Sequence, residues 1–122
     1  MSESDRHQPW RLHVQDMIGF CERVRNYTEG HEQATFISDA RTYDATIRNL
    51  ELIGEAATHV PQSVRDTSPD VPWRAIVGLR NRLIHAYGGI DNDIIWTLIQ
   101  DAVPNLLTTL HDLLRTTSED SS

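Results

Sequence analysis

The clearest helical pattern in the middle of the chain is that of residues 43 to 60, YDATIRNLELIGEAATHV. Its apolar residues recur at intervals of three and four, the spacing that places side chains on one face of an α-helix. Gly54, Ala56 and Ala57 lie among them, and such small side chains would let another helix approach closely. The pattern predicts a helix that begins near Ser38 or Asp39 and lies at the centre of a bundle.

Three further apolar patterns of the same kind flank this central helix. The first runs from about Pro9 to Tyr27, and the second starts at Trp73 and stops at Gly88-Gly89, which suit a helix end. The third follows a predicted cap at Asp91 or Asn92 and has an apolar face wider than one neighbouring helix needs. That width predicts self-association.

Prolines divide these patterns. Pro104 predicts a kink in the last helix, and Pro61, Pro69 and Pro72 leave room only for a short helical turn around Ser63 to Arg65. The chain shows no strand-like alternation. The predicted fold is an all-α, up-and-down four-helix bundle with a short additional helical segment, assembled as a homodimer.

The length of 122 residues suits one domain. We expect a disordered N-terminus over residues 1–8, a helical domain over 9–115 and a disordered polar tail over 116–122. The first residues lack the order of a secretory signal, and no apolar run approaches the roughly 20 residues that span a bilayer. A cytoplasmic protein without a membrane partner is therefore expected. Cys21, the single cysteine, is expected to pack as a small apolar side chain.

The charge of the chain is distributed unevenly. The formal net charge is -7, yet the segment from Val71 to Ile90 has three arginines and no acidic residue, so the remainder sums to -10. An anionic body argues against a wide, nonspecific nucleic-acid surface. Any contact with RNA must therefore be local.

The candidate active site is Arg80 to Tyr87, RNRLIHAY. One hypothesis is that this segment cleaves RNA, which requires that the ribose 2′-hydroxyl lose a proton, that the leaving 5′-oxygen gain one and that the added charge on phosphate be stabilised. An unperturbed imidazole titrates in the range that suits proton transfer, so His85 could supply this function, and Arg80 offers a fork of donors to phosphate oxygens. This route needs no metal or other cofactor. It excludes DNA, which lacks the attacking hydroxyl.

The spacing of Arg80 and His85 favours a shared site. Five residues on a helix place them about 140° apart around the axis, so they do not lie on one stripe. One imidazole cannot be acid and base at once, whereas two copies across a two-fold axis would supply both roles. The chemistry itself thus favours a homodimer.

Ordinary structural interpretations of these residues stay open. A lone histidine is more often structural, and an arginine such as Arg82 near a helix end suits the helix dipole. Asn81 could orient phosphate or the imidazole, or do nothing. Tyr87 could stack on a base, bind phosphate, be modified on its hydroxyl, or serve as a partly buried anchor.

Three segments taken together resemble the HepT-like toxin family of HEPN-domain ribonucleases. They are the central helix from Asp44 to Ala57, the stretch Val71-Pro72-Trp73-Arg74, and Arg80 to Tyr87. The short pattern R-x-x-x-x-H is weak alone. In this context, after P-W-R and the L-E-L-I-G-E-A-A helix, it is specific.

The resemblance implies a homodimeric, metal-independent endoribonuclease toxin of a type VII-like toxin-antitoxin pair. Its partners would be RNA and a cognate minimal nucleotidyltransferase that acts as antitoxin. Arg80 and His85 match the catalytic residues of the family, Asn81 matches the polar residue after the arginine, and Arg82 is a supporting candidate. Tyr87 matches the tyrosine that the antitoxin adenylylates. The alternative is a noncatalytic helical module that binds a nucleotidyltransferase partner or a nucleotide.

Overall fold

The structure is a computed structural model that describes residues 8–84 and 91–120. The described residues are predominantly helical and include no strand, which confirms the all-α prediction. The helices are α1 (Trp10–Thr28), α2 (Gln33–Ser38), α3 (Ala40–Ala57), α4 (Gln62–Arg65), α5 (Trp73–Ile84), α6 (Asn92–Thr97), a π-helical segment (Leu98–Ala102) and α7 (Val103–Asp120).

Helix α3 is the centre of the bundle, as the sequence predicts. It packs against α1 on one side and α5 on the other, and α1 packs in turn against α7. Neighbouring helices run in opposite directions. His13 near the start of α1 stacks on His59 just beyond α3, at 4.6 Å between ring centroids, and Arg11 donates to the carbonyl of Leu114 late in α7 at 3.2 Å.

The core lies along the facing apolar stripes of these helices. Its most deeply buried side chains are Val14, Met17, Cys21, Val24, Phe36, Leu50, Ile53, Ala57, Ile95 and Leu110. Cys21 is buried, as predicted, and burial first and the charge of Glu22 second raise the pKa of its thiol to about 12. The single cysteine is thus part of the packing between helices.

Helix α2 was not predicted. The sequence suggests only a connecting segment there, but the amide of Glu32 donates to Thr35 Oγ1 at 3.0 Å and so supports the first turn of a helix. Phe36 on this helix is fully buried. Gly30, with φ at 80°, adopts the left-handed conformation that turns the chain between α1 and α2.

The last predicted helix is irregular just before Pro104. Proline has no amide hydrogen, so the turn before it cannot keep the ordinary ladder of bonds. The chain widens into the π-helical segment Leu98–Ala102, where the amide of Val103 donates to the carbonyl of Leu98. Beyond Pro104, α7 continues to Asp120, several residues further than the polar composition after Arg115 suggests. Thr117 supports this extension by donating to the carbonyl of Leu113 at 2.7 Å.

Among the residues that the structure describes, none of the helices is long and apolar enough to span a membrane.

Candidate active site

Helix α5 carries the predicted site, and its first turn is tied to the end of α3. The indole nitrogen of Trp73 donates to the carbonyl of Ser68 at 3.1 Å. Arg65 donates to the carbonyls of Val60 and Ala57 at 2.9 and 3.0 Å, and its guanidinium lies 5.9 Å from the ring centroid of Trp73. A single arginine therefore satisfies carbonyls at the end of α3 and contacts the residue that begins α5.

Packing sets the rotation of α5 about its own axis. Ile76, Leu79 and Leu83 are buried, with at most 8% of each side chain exposed, and they follow the spacing of one helix face. Asn81 lies on the opposite side and is exposed. The buried stripe thus leaves a polar face of α5 turned outward.

The other end of α5 lies at the end of the bundle where α3 and α6 begin. Tyr43 in the first turn of α3 donates a 2.7 Å hydrogen bond to Asn92 Oδ1, and the Gln33 amide of α2 donates to Asp93 at 2.5 Å. Asp91 caps α6 by accepting from the amides of Asp93 and Ile94 at 3.0 and 3.3 Å. These contacts fix the point at which the chain enters α6.

Aromatic packing supports the same point. The ring of Phe36 lies 5.3 Å from that of Tyr43 and 5.5 Å from that of Trp96. Desolvation by burial, with a smaller contribution from the charge of Asp44, raises the pKa of Tyr43 above its usual value. The raised pKa is consistent with a phenol that donates its proton to Asn92 in a hydrogen bond.

The structure describes the predicted site only as far as Ile84, the last residue of α5. Asn81 is described and exposed, and the backbones of Arg80 and Arg82 belong to the last turns of α5, while their side chains lie outside the described part. His85, Tyr87 and the predicted helix end at Gly88-Gly89 also lie outside the described residues. The roles of Arg80, Asn81, Arg82, His85 and Tyr87 stay predictions.

A cavity of about 610 Å³ lies elsewhere, beside the end of α1 and the π-helical segment. The residues that line it include Glu22, Glu29, Arg25 and His31, so two carboxylates face one arginine. Such a lining is poorly suited to a polyanion. Neither Asn81 nor the backbone of Arg80 belongs to it.

In residues 8–84 and 91–120, no three histidine, cysteine or acidic side chains are grouped closely enough to hold a metal ion.

The comparisons with known proteins decide the family. The model of the HepT-like ribonuclease family, described as Ribonuclease HepT-like, matches residues 17–113, a span that includes most of α1 and all of α3 and α5. The chain belongs to the HepT-like ribonuclease family. Its resemblance to that family, inferred from the motifs, is confirmed.

Individual relatives match this chain along most of their own length. A protein of Thermococcus cleftensis, named Probable ribonuclease HepT, is 33% identical over 77% of this chain and 86% of its own. A candidate RNase of Methanocaldococcus jannaschii is 32% identical over 86% of this chain and 87% of its own. A candidate RNase of Caldanaerobacter subterraneus is 32% identical over 86% of this chain and 94% of its own. No solved structure matches the chain.

Proposed function

We propose that the protein is a metal-independent endoribonuclease toxin of a type VII-like toxin-antitoxin pair. The observation that carries this proposal is the family match over residues 17–113, which contains the whole R-N-R-L-I-H-A-Y segment. The relatives named as ribonucleases support RNA as the substrate. The acid-free surroundings of the segment, on an otherwise anionic chain, suit a local contact with phosphate.

The proposed reaction is an internal transfer at phosphorus. The 2′-oxygen attacks the adjacent phosphorus and gives its proton to one imidazole, and the bond from phosphorus to the 5′-oxygen breaks. A second imidazole protonates the departing oxygen, so the products are a 2′,3′-cyclic phosphate and a 5′-hydroxyl. Arg80 stabilises the charge that develops on the non-bridging oxygens, and His85 transfers the protons. Asn81 and Arg82 support the phosphate.

The reaction favours a homodimer because each chain has one His85. Two chains related by a two-fold axis would place two copies of Arg80 and of His85 in one cleft, one imidazole acting as base and the other as acid. In this arrangement the outward face of α5 borders the shared cleft. The protein would act in the cytoplasm, where its RNA substrate is found.

Control of the enzyme is proposed to occur at Tyr87. A cognate nucleotidyltransferase antitoxin would transfer AMP to the phenol, which adds bulk and a phosphodiester two residues from His85. That negative charge would compete with the substrate phosphate for Arg80. The modification would therefore switch off cleavage without unfolding the bundle.

A cleavage assay with purified protein and labelled RNA, in the presence of EDTA, tests the enzymatic part. Wild type should cut and leave a cyclic phosphate, whereas His85→Ala and Arg80→Ala should each lose about 100-fold or more in kcat. His111→Ala, a change at an exposed histidine of α7, is the matched control and should cut normally. Equal cleavage by wild type and His85→Ala, or no cleavage by either, would refute this function.

The control by modification has its own experiment. Co-expression with a neighbouring nucleotidyltransferase should add AMP-sized mass to wild type and none to Tyr87→Phe, and wild type should become inactive. Addition of the same mass to Tyr87→Phe would place the modification elsewhere. Stable binding of the nucleotidyltransferase by a chain that never cuts RNA would instead support the noncatalytic module.

A further inference from the structure

One face of α5 is exposed and has small side chains in the middle. Arg74, Ala75 and Asn81 are exposed, and Gly78 lies between them. Arg74, Gly78 and Asn81 are spaced by four and three residues, so they lie within about 60° of one another around the helix. The main packing partner of α5 is α3, which covers the opposite, apolar face.

Gly78 is unexplained by packing inside the protomer. A glycine in the middle of a helix costs about 1 kcal/mol relative to alanine. Small residues often allow a close contact, yet a Cβ built on Gly78 would meet no atom of the described residues within 4 Å, apart from its neighbours on the same helix. Within the part of the chain that the structure describes, no contact offsets the destabilising effect of this glycine.

Arg74 points to the chemistry of what approaches this face. It is exposed, and among the described residues the arginine ion pairs join Arg48 to Glu51 and Arg115 to Asp112, not Arg74 to an acid. No acidic residue occurs between Val71 and Ile90, and none lies in the first turn of α5. The described polar side chains of this face, Arg74 and Asn81, therefore carry one positive charge and no negative charge, on a chain of formal net charge -7.

These observations favour RNA over a second copy of the same face. Two copies of this face in contact would bring positive charges near one another, whereas a phosphate backbone complements the charge. Because Gly78 has no side chain, a sugar-phosphate chain could lie close to the helix backbone at this position. Arg74 and Asn81 are about 10.5 Å apart along the axis, which corresponds to about three nucleotides of a stacked strand.

We propose that the outward face of α5, formed by Arg74, Ala75, Gly78 and Asn81, is a track for the RNA backbone. On this track Arg74 binds a phosphate about three nucleotides from the cleavage position, and Gly78 provides the clearance for the strand. The inference rests on the proposed ribonuclease function. It adds a substrate requirement, because RNA must extend about three nucleotides on one side of the cut to reach Arg74.

Salt-dependent binding tests the track. The probe is a short, fluorescent single-stranded RNA with 2′-O-methyl riboses, which cannot be cut because the attacking hydroxyl is blocked. Arg74→Ala should weaken binding about fivefold or more and reduce the slope of log affinity against log salt by about 0.7, while Arg74→Lys keeps most of the slope. Arg115→Ala, at an exposed arginine of α7, is the control and should behave as wild type.

The second variant separates binding from folding. Gly78→Gln should raise the melting temperature, because glutamine favours the helix, yet it should weaken binding of the probe by obstructing the strand. Gly78→Ala should also raise the melting temperature and weaken binding less. Unchanged binding by Gly78→Gln, an unchanged salt slope in Arg74→Ala, or failure of wild type to bind the probe would overturn the track.

The test distinguishes this inference from the proposed function. If wild type binds the probe through Arg74 but never cuts unmodified RNA, the track stands and the enzymatic function fails. If wild type cuts RNA and Arg74→Ala has an unchanged KM, the function stands and the track fails. A change of molecular mass in solution, by light scattering, for Arg74→Ala or Gly78→Gln would show that this face joins two copies, and would also overturn the track.

Discussion

The phenolic oxygen of Tyr43 lies 2.7 Å from the side-chain oxygen of Asn92, and it is the donor of this hydrogen bond. The contact joins the first turn of α3 to the first residue of α6. Since α6 begins shortly after the proposed active-site segment, the bond fixes where the chain continues beyond that segment. The central helix α3 therefore contacts the chain both before and after the segment, because it also packs along α5.

Replacing Tyr43 by Phe removes this hydrogen bond and leaves the ring in place. We expect the free energy of unfolding to fall by about 0.5–1.5 kcal/mol, the usual net value of such a bond. Chemical denaturation measures it. Tyr27→Phe is the matched control, since Tyr27 is 39% exposed and should change little. An equal effect of the two substitutions would mean that the Tyr43 bond contributes nothing.

Arg65 is expected to be a structural arginine rather than a substrate ligand. Arg65→Ala loses two hydrogen bonds to carbonyls and the contact with Trp73, so the free energy of unfolding should fall by about 2 kcal/mol. Arg48→Ala should cost under about 0.5 kcal/mol, because Arg48 and Glu51 form an exposed ion pair at 3.5 Å. RNA affinity at a temperature where both variants are folded should equal that of wild type. A loss of affinity only in Arg65→Ala would contradict this assignment.

Arg80→Lys tests whether the planar fork of the guanidinium is needed. Lysine keeps the positive charge but cannot donate two parallel hydrogen bonds to a phosphate. We expect kcat to fall about 100-fold with a smaller change in KM, because the donors act on charge that develops in the transition state. Steady-state cleavage kinetics measure both constants. Full activity of the lysine variant would show that charge alone is sufficient.

Cys21 should resist alkylation in the folded protein. Burial raises the pKa of its thiol to about 12, so the thiolate is almost absent at pH 8. A folded-state pKa above the unfolded value means that this group stabilises the fold fully below about pH 8.5, and that the contribution is lost as pH rises toward 12. Iodoacetamide should react only after denaturation. Cys21→Ala should show a weaker decline in stability above pH 9 than wild type, and identical declines would refute the role of the thiol.

Asp39 provides a pH effect of opposite sign. Its carboxylate accepts from the amide of Thr42 at 3.2 Å, and this bond is the main cause that lowers the pKa of Asp39. The stabilising contribution is present above the unfolded pKa and is lost as pH falls through the folded value, below about pH 4. Asp39→Asn keeps a capping oxygen that does not titrate. The urea midpoints of the two proteins should converge below pH 4, and a constant difference would contradict the charged cap.

The four apolar helices and most of their ends could be predicted because each signal is local. Asp39 and Asp91 accept from the amides at the start of α3 and α6, as their position before an apolar pattern predicts. Pro104 predicts a kink in the last helix, and the structure has a π-helical segment just before that residue. The short turn at Gln62–Arg65 was also expected. These features depend on neighbours within four residues.

Features that depend on distant residues could not be predicted. Tyr43 and Asn92 are 49 positions apart in the sequence, and no periodicity indicates that they meet. Helix α2 has six residues and no amphipathic pattern of its own, so its stability comes from the burial of Phe36 among aromatic rings. At the proposed active site, the sequence motif and the local composition identify the candidate residues from Arg80 to Tyr87. The exposure of Arg74 on the same face as Gly78 could be recognised only from the packing of α5 on α3.

The π-helical turn at Leu98–Ala102 requires a fixed number of residues in this segment. A π-turn contains one residue more than an α-turn, and that residue rotates the following helix by about 100°. Leu106, Leu110 and Leu113 therefore reach the core only with this extra residue in place. Deleting a single amino acid from the segment would restore regular α-helical winding and turn these leucines toward water. The protein should therefore tolerate substitutions in this segment but not a deletion.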